Sequence, residues 1–193
     1  LWGRFEGVSD LIYVTLSTGI GGGMIVEGHL LLGREGNAHE VGHIVLNYRS
    51  RARCGCGGVG HWEGLASGKN FINLARELGV RINVSSLPQL IEAWRSGDGE
   101  AGRVVEELIE VDAAGLASLI NVFDPHAVVV GGAIPIKNPD ILEAIVKEMS
   151  KYLMREPPQL ALPTFGEDAV LVGAAAIASS PPPNLLKLQV SSG

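Results

Sequence analysis

Residues 14–68 read VTLSTGIGGGMIVEGHLLLGREGNAHEVGHIVLNYRSRARCGCGGVGHWEGLASG, and this stretch limits the possible folds more than any other part of the chain. It holds an apolar run ending in a glycine-rich turn, a Glu-x-Gly-His element, and a compact Cys/His cluster. Residues 47–60 carry arginines, glycines and both cysteines without any hydrophobic period. A loop of that length inside a compact domain needs something to hold it, and a metal ion is the simplest device.

His43, Cys54, Cys56 and His61 are the candidate ligands. Zinc takes four nitrogen and sulfur ligands in a tetrahedron, and glycines at 55, 57, 58 and 60 let the chain wrap tightly around an ion. A Cys-x-Cys pair rarely meets disulfide geometry. The spacing also admits a free thiol pair beside two unrelated histidines, because Cys-x-Cys-x4-His is not among the common finger patterns. With all four ligands from the protein the zinc would be structural, since a catalytic zinc keeps one position open. His29 and His126 read as a strand residue and a junction residue, without a ligand role.

Local patterning predicts an α/β fold with a mixed sheet covered by helices. Residues 11–17 form a buried strand, Gly21 to Gly23 a sharp turn, and residues 24–26 and 29–32 two further strands of a meander. A short strand follows at residues 44–46. Ser67 is the expected N-cap of a helix over residues 69–78, stopped by Gly79. Helices are expected over residues 87–94 and from Asp98 or Gly99 to about Asp124, where Asp-Pro ends the segment. Residues 127–130 are apolar throughout and end in three β-branched valines, the mark of a central strand. A helix at about 140–154, a buried strand at 169–172 and a small-residue helix at 173–178 complete the expectation.

The net charge is −6, and the longest basic stretch is the loop segment 49–53, which argues against a nucleic-acid face. No apolar run reaches the ~20 residues of a membrane span, and no signal peptide is visible, so the expected location is the cytoplasm. The chain opens on Leu, and residues 1–7 read like the end of a helix, so a fragment is expected, with its N-terminal part absent.

TGIGGG at 18–23, GNAHEVGH at 36–43, CGCGGVGHWE at 54–63, ASG at 66–68 and DPHAVVVGG at 124–132 together resemble the ROK family of repressors, open reading frames and sugar kinases. The resemblance implies an actin-like, hexokinase-type (ribonuclease-H-like) fold, mainly its C-terminal lobe over residues 1–180, with a zinc-binding loop near 43–61; the prolines at 181–183 break regular structure, so residues 181–193 are expected to form a flexible tail. It implies transfer of the ATP γ-phosphoryl group, with Mg²⁺, to a hexose, as in glucokinases. Glu40, His43 and Glu63 match the family's sugar contacts. Thr18 and Gly19 match a phosphate-binding turn, and Gly131 and Gly132 match adenosine-side glycines. His43, Cys54 and Cys56 match zinc ligands, and His61 stands where the family pattern has a third cysteine. His39 stands where many members have Gly.

The family's catalytic base lies ahead of the TGIGGG turn. Asp10 has no preceding Asn and is not assigned that role, so no catalytic residue is expected in this chain. A homodimer or higher homo-oligomer is the expected assembly. The alternatives are the sugar-sensing domain of a repressor from the same family, whose DNA-binding module would lie upstream, and a zinc-stabilised interaction domain without a substrate.

Overall fold

The computed structural model describes residues 3–183 and 185. Its centre is a five-stranded sheet, ordered β3-β2-β1-β4-β5. The strands are β1 (Leu11–Leu16), β2 (Ile20–Val26), β3 (His29–Leu30), β4 (Ala127–Gly131) and β5 (Gln159–Ala161). β1 pairs antiparallel with β2 and parallel with β4, so the sheet is mixed about a two-strand parallel centre. β1 alternates, with Ile12, Val14 and Leu16 at most 1% exposed. β4 buries four of its five residues, as expected of a strand covered on both faces.

The helices are α1 (Trp62–Ala66), α2 (Phe71–Glu77), α3 (Leu87–Arg95), α4 (Gly99–Phe123), α5 (Ala133–Lys137), α6 (Pro139–Met149) and α7 (Ala169–Ser179). α4 is the spine: α1, α2, α3 and α6 all pack on it. Asp98 caps it by accepting the Glu100 and Ala101 N–H groups, and Asp124 closes it in a left-handed conformation just before Pro125. Its apolar stripe, including Val104, Leu108 and Leu116, joins the inward side chains of β1 and β4 in one core cluster.

Several expectations give way. Gly21 to Gly23 are not a turn; they lie inside β2, opposite Thr15, Val14 and Tyr13. Glycine is needed there for space: a Cβ on Gly22 would come 3.0 Å from the Val41 side chain. The chain reverses earlier, at residues 17–19, where Ser17 N–H donates to the Gly19 carbonyl. Residues 44–46 form no strand, only a single bridge between Val45 and His61. Ser67 caps the C-terminus of α1, and Asn70 precedes α2. Residues 68–70 form a turn instead, in which Asn70 N–H donates to the Ser67 carbonyl while Gly68 and Lys69 donate to the Ser17 and Thr18 carbonyls.

The helix expected to reach residue 154 ends at Met149. Asn121 on α4 pulls the following segment away, donating to the Tyr152 carbonyl and accepting the Met154 N–H. Residues 169–172 are not a buried strand. They open α7, with Val170 and Leu171 65% and 70% exposed. The four apolar residues run without a turn signal into an alanine-rich stretch, and helix propagation takes them along. α5 and β5 were not foreseen. Residues 3–7 form turns, not a helix end, while Leu1 and Trp2 lie outside the described residues. In the expected flexible tail, Pro183 and Leu185 have helical backbone, and residues 184 and 186–193 lie outside the described residues.

Candidate functional site

The four candidate metal ligands converge. One donor atom each from His43, Cys54, Cys56 and His61 lies within 4.8 Å of all the others. Cys54 Sγ is 3.5 Å from His43 Nδ1, and Cys56 Sγ is 3.3 Å from His61 Nδ1. Zinc bonds of ~2.0–2.3 Å in a tetrahedron put neighbouring ligands roughly 3.3–3.8 Å apart, so these two separations already suit an ion. Both cysteines are free. Burial pushes the Cys54 thiol up from its usual range.

The loop folds this way because Cys54 N–H donates to the Gly58 carbonyl and Gly57 N–H to the Cys54 carbonyl, while Arg53 and Val59 bridge across the base. A Cβ at position 60 would come 2.1 Å from the Asn47 carbonyl oxygen, so only glycine lets the two loop strands approach.

His43 ends a short 3-10 turn, Val41–His43. Its Nδ1 faces the cluster and its Nε2 lies 3.6 Å from Glu40 Oε2. The ring thus turns one nitrogen to the cluster and leaves the other near a carboxylate, within the range of an ion pair. Gly42 seats this turn on its neighbours: a Cβ there would meet the Ile20 carbonyl oxygen at 2.3 Å and the Glu63 Cβ at 3.3 Å. His39 adopts a left-handed φ of 66°, a conformation that glycine takes without strain.

Glu63 stands in the first turn of α1 and does not cap it. Its Oε2 accepts the Ile20 N–H at 3.0 Å, and its Oε1 lies 3.5 Å from Cys54 Sγ. Thr18 and Gly19 form the turn just before Ile20, and a Cβ on Gly19 would come 2.7 Å from Glu63 Oε2. The glycine turn, the carboxylate and the cysteine loop are therefore in direct contact.

Gly131 pairs with Thr15 across the parallel strands, so the second glycine pair shares the sheet end that carries the Thr18-Gly19 turn. Gly132 has a φ of 93°, and a Cβ there would meet the Leu16 carbonyl oxygen at 2.3 Å. The carboxyl ends of parallel strands are where open α/β sheets bind ligands. Asp10 lies at the opposite end of β1. It accepts the Glu27 N–H at 2.9 Å and pairs with His126 at 3.5 Å, a structural role. The Glu27 N–H, foremost, holds its carboxyl below the usual range.

One supporting contact escaped the sequence reading. Trp62, fully buried beside Glu63, donates its indole N–H to Asp112 Oδ1 at 2.8 Å. Among the described residues the other Asp112 oxygen has no hydrogen-bond partner, and burial pushes this carboxyl up to about 8. The signal was present: Asp112 follows Leu108 and precedes Leu116 at helical spacing, inside an apolar stripe.

The ROK family pattern matches residues 1–180. A glucokinase from Pyrobaculum calidifontis is 38% identical over 192 aligned residues, which cover 97% of this chain and 64% of that protein. The crystal structure of a ROK hexokinase from Thermus thermophilus superposes with a TM-score of 0.80 at 32% identity, covering 99% of this chain and 61% of that one. A ROK family glucokinase from Streptomyces griseus, crystallised with glucose and AMPPNP, gives a TM-score of 0.76 at 34% identity, over 90% of this chain and 62% of that one. The fold is therefore the actin-like, hexokinase-type architecture, and the chain spans less than two thirds of the length of these relatives.

Proposed function

The chain belongs to the ROK family, and on that premise we propose that it carries the sugar-facing and part of the nucleotide-facing machinery of an ATP-dependent hexose kinase of glucokinase type. The observation that carries the reading is His43: one ring nitrogen in the Cys/His cluster, the other beside Glu40. A substrate-free interaction domain has no evident use for an imidazole placed between the cluster and a carboxylate, with a second carboxylate, Glu63, against the same cysteine loop.

In this reading His43, Cys54, Cys56 and His61 hold a structural Zn²⁺, which supplies a cross-link and no reacting group. Glu40 and Glu63 accept hydrogen bonds from sugar hydroxyls, and His43 Nε2–H donates to a sugar oxygen. Glu63 Oε2 already takes the Ile20 N–H, so its position is set before a sugar arrives. Thr18 and Gly19 present hydroxyl and backbone N–H groups to phosphate oxygens, and Gly131 and Gly132 leave backbone open to the nucleoside. Mg²⁺ with ATP supplies the transferred group and neutralises its charge. The attacking hydroxyl must still lose a proton, and none of the residues named here is assigned that task.

The chain is read as chiefly the C-terminal lobe of the kinase, working in the cytoplasm as a homodimer or larger homo-oligomer. No helix among the described residues is long and apolar enough to cross a membrane, and Val170 and Leu171 on α7 give a second surface some apolar area to cover. The test is a coupled assay of ADP release over a panel of hexoses and N-acetylhexosamines, using the full-length protein. Turnover of glucose or a close hexose is expected. Sugar binding without turnover, in a protein that also binds DNA, would move it to the repressor class.

A further inference from the structure

The basic segment 49–53 has no part in the site above, yet it does not lie flat in solvent. It forms one wall of a groove of about 610 Å³, facing α2. Arg49, Arg51, Arg53 and Arg76 line it, four of the fifteen Lys and Arg residues in a chain of net charge −6. Among the described residues none of these guanidiniums forms an ion pair with a carboxylate. Arg76 donates to Asn73 Oδ1, and Arg49 lies over the Tyr48 ring. The guanidiniums of Arg51 and Arg53 have neither kind of partner.

The one acid in the groove, Glu77, is held on the floor: its Oε1 accepts Ser50 Oγ–H, Arg51 N–H and Ala52 N–H at 2.6, 2.8 and 2.9 Å. Its Oε2 and the Asn47 amide nitrogen make no hydrogen bond among the described residues. The groove therefore offers unpaired guanidiniums for an anion, and a fixed acceptor and a donor for neutral polar groups.

Guanidinium forks match the paired oxygens of phosphate. The groove's volume lies within the ~300–1,000 Å³ range of small-ligand sites. We propose that the groove binds a sugar phosphate, its phosphate held by Arg51 and Arg53 with Arg49 and Arg76 alongside, its hydroxyls by Glu77 and Asn47. The choice of a sugar phosphate over another hydroxylated phosphate rests on the kinase reading, whose product is of that class. The anion site itself does not. Arg53 pairs with Val59 across the cysteine loop, so the ligand would sit at the base of the metal-binding loop.

The experiment is calorimetric titration of the full chain with glucose 6-phosphate, and separately with inorganic phosphate. Glucose 6-phosphate should bind more tightly than inorganic phosphate, and both should weaken as salt is raised. Replacing Arg51→Gln and Arg53→Gln together should weaken both about tenfold or more, the loss expected for charge-assisted bonds. Arg76→Gln should weaken them less. Glucose 6-phosphate should still bind when glucose saturates the sugar site, which separates this groove from product held there. These arginine side chains are exposed, so the variants should melt with the unmutated chain. No binding of either probe would overturn the proposal, as would binding indifferent to the double variant or abolished by saturating glucose. Equal affinity for the two probes would overturn the sugar-phosphate assignment. Absence of kinase turnover in the assay above would leave inorganic phosphate binding intact, so the two ideas fail separately.

Discussion

Glu63 Oε2 accepts the Ile20 N–H at 3.0 Å, a bond that ties the first turn of α1 to the strand leaving the glycine turn. The contact sets the carboxylate against both the Thr18-Gly19 turn and the cysteine loop. Glu63→Gln keeps an acceptor for Ile20 and removes the charge. Calorimetric titration of the full-length protein with its cognate sugar should show affinity reduced about tenfold or more, because a charge-assisted hydrogen bond of ~1.5–3 kcal/mol is weakened. The melting temperature should hardly move. Unchanged affinity would remove Glu63 from the sugar site.

The Cys/His cluster predicts one zinc per chain. Metal analysis of protein purified without chelator should find it at stoichiometry, and Cys56→Ser should lose it and melt earlier, since structural metal binding is coupled to folding. Cys56 is itself exposed, so its truncation disturbs little packing, and an earlier melt reports the metal. Unmutated protein without bound metal would refute this.

Asp112 predicts a pH dependence with a definite sign. Its folded-state value is about 8 against 3.8 as the reference, and burial is the main cause. Between those limits the folded chain holds a proton that the unfolded chain has released. This group therefore makes stability fall as pH rises, by up to ~1.4 kcal/mol per unit, fully favourable only below the unfolded value. Denaturant unfolding at several values between about pH 5 and pH 8 should show that slope. Asp112→Asn keeps an acceptor for the Trp62 indole and should flatten it. A slope unchanged in Asp112→Asn would show that this carboxyl is not the source.

The sequence revealed the metal cluster more readily than the contacts that surround it. Cys54, Cys56, His43 and His61 are close in the chain, and glycines mark where the loop must bend, so local spacing carried the message. β1, β4 and α4 were legible for the same reason: their apolar periods are strong and their ends are punctuated. What spacing could not show was who fills the room that glycine leaves. Gly22 looks like a turn residue until Val41 is seen beside it, and Gly42 looks incidental until Ile20 and Glu63 close over it. α7 misled because an apolar tetrapeptide with two valines says strand locally, while its alanine-rich continuation decides for helix.

The central claim is that the metal loop holds His43 and Glu63 in place for a sugar. The most direct measurement is glucose affinity of the full-length protein by calorimetry, first zinc-loaded, then chelated, then reloaded with Zn²⁺. The account predicts binding by the loaded protein, a loss of about tenfold or more after chelation, and recovery on reloading, because groups that orient a metal-bound ring typically matter ~10–100-fold when they are removed. Equal glucose affinity with and without the metal would contradict it.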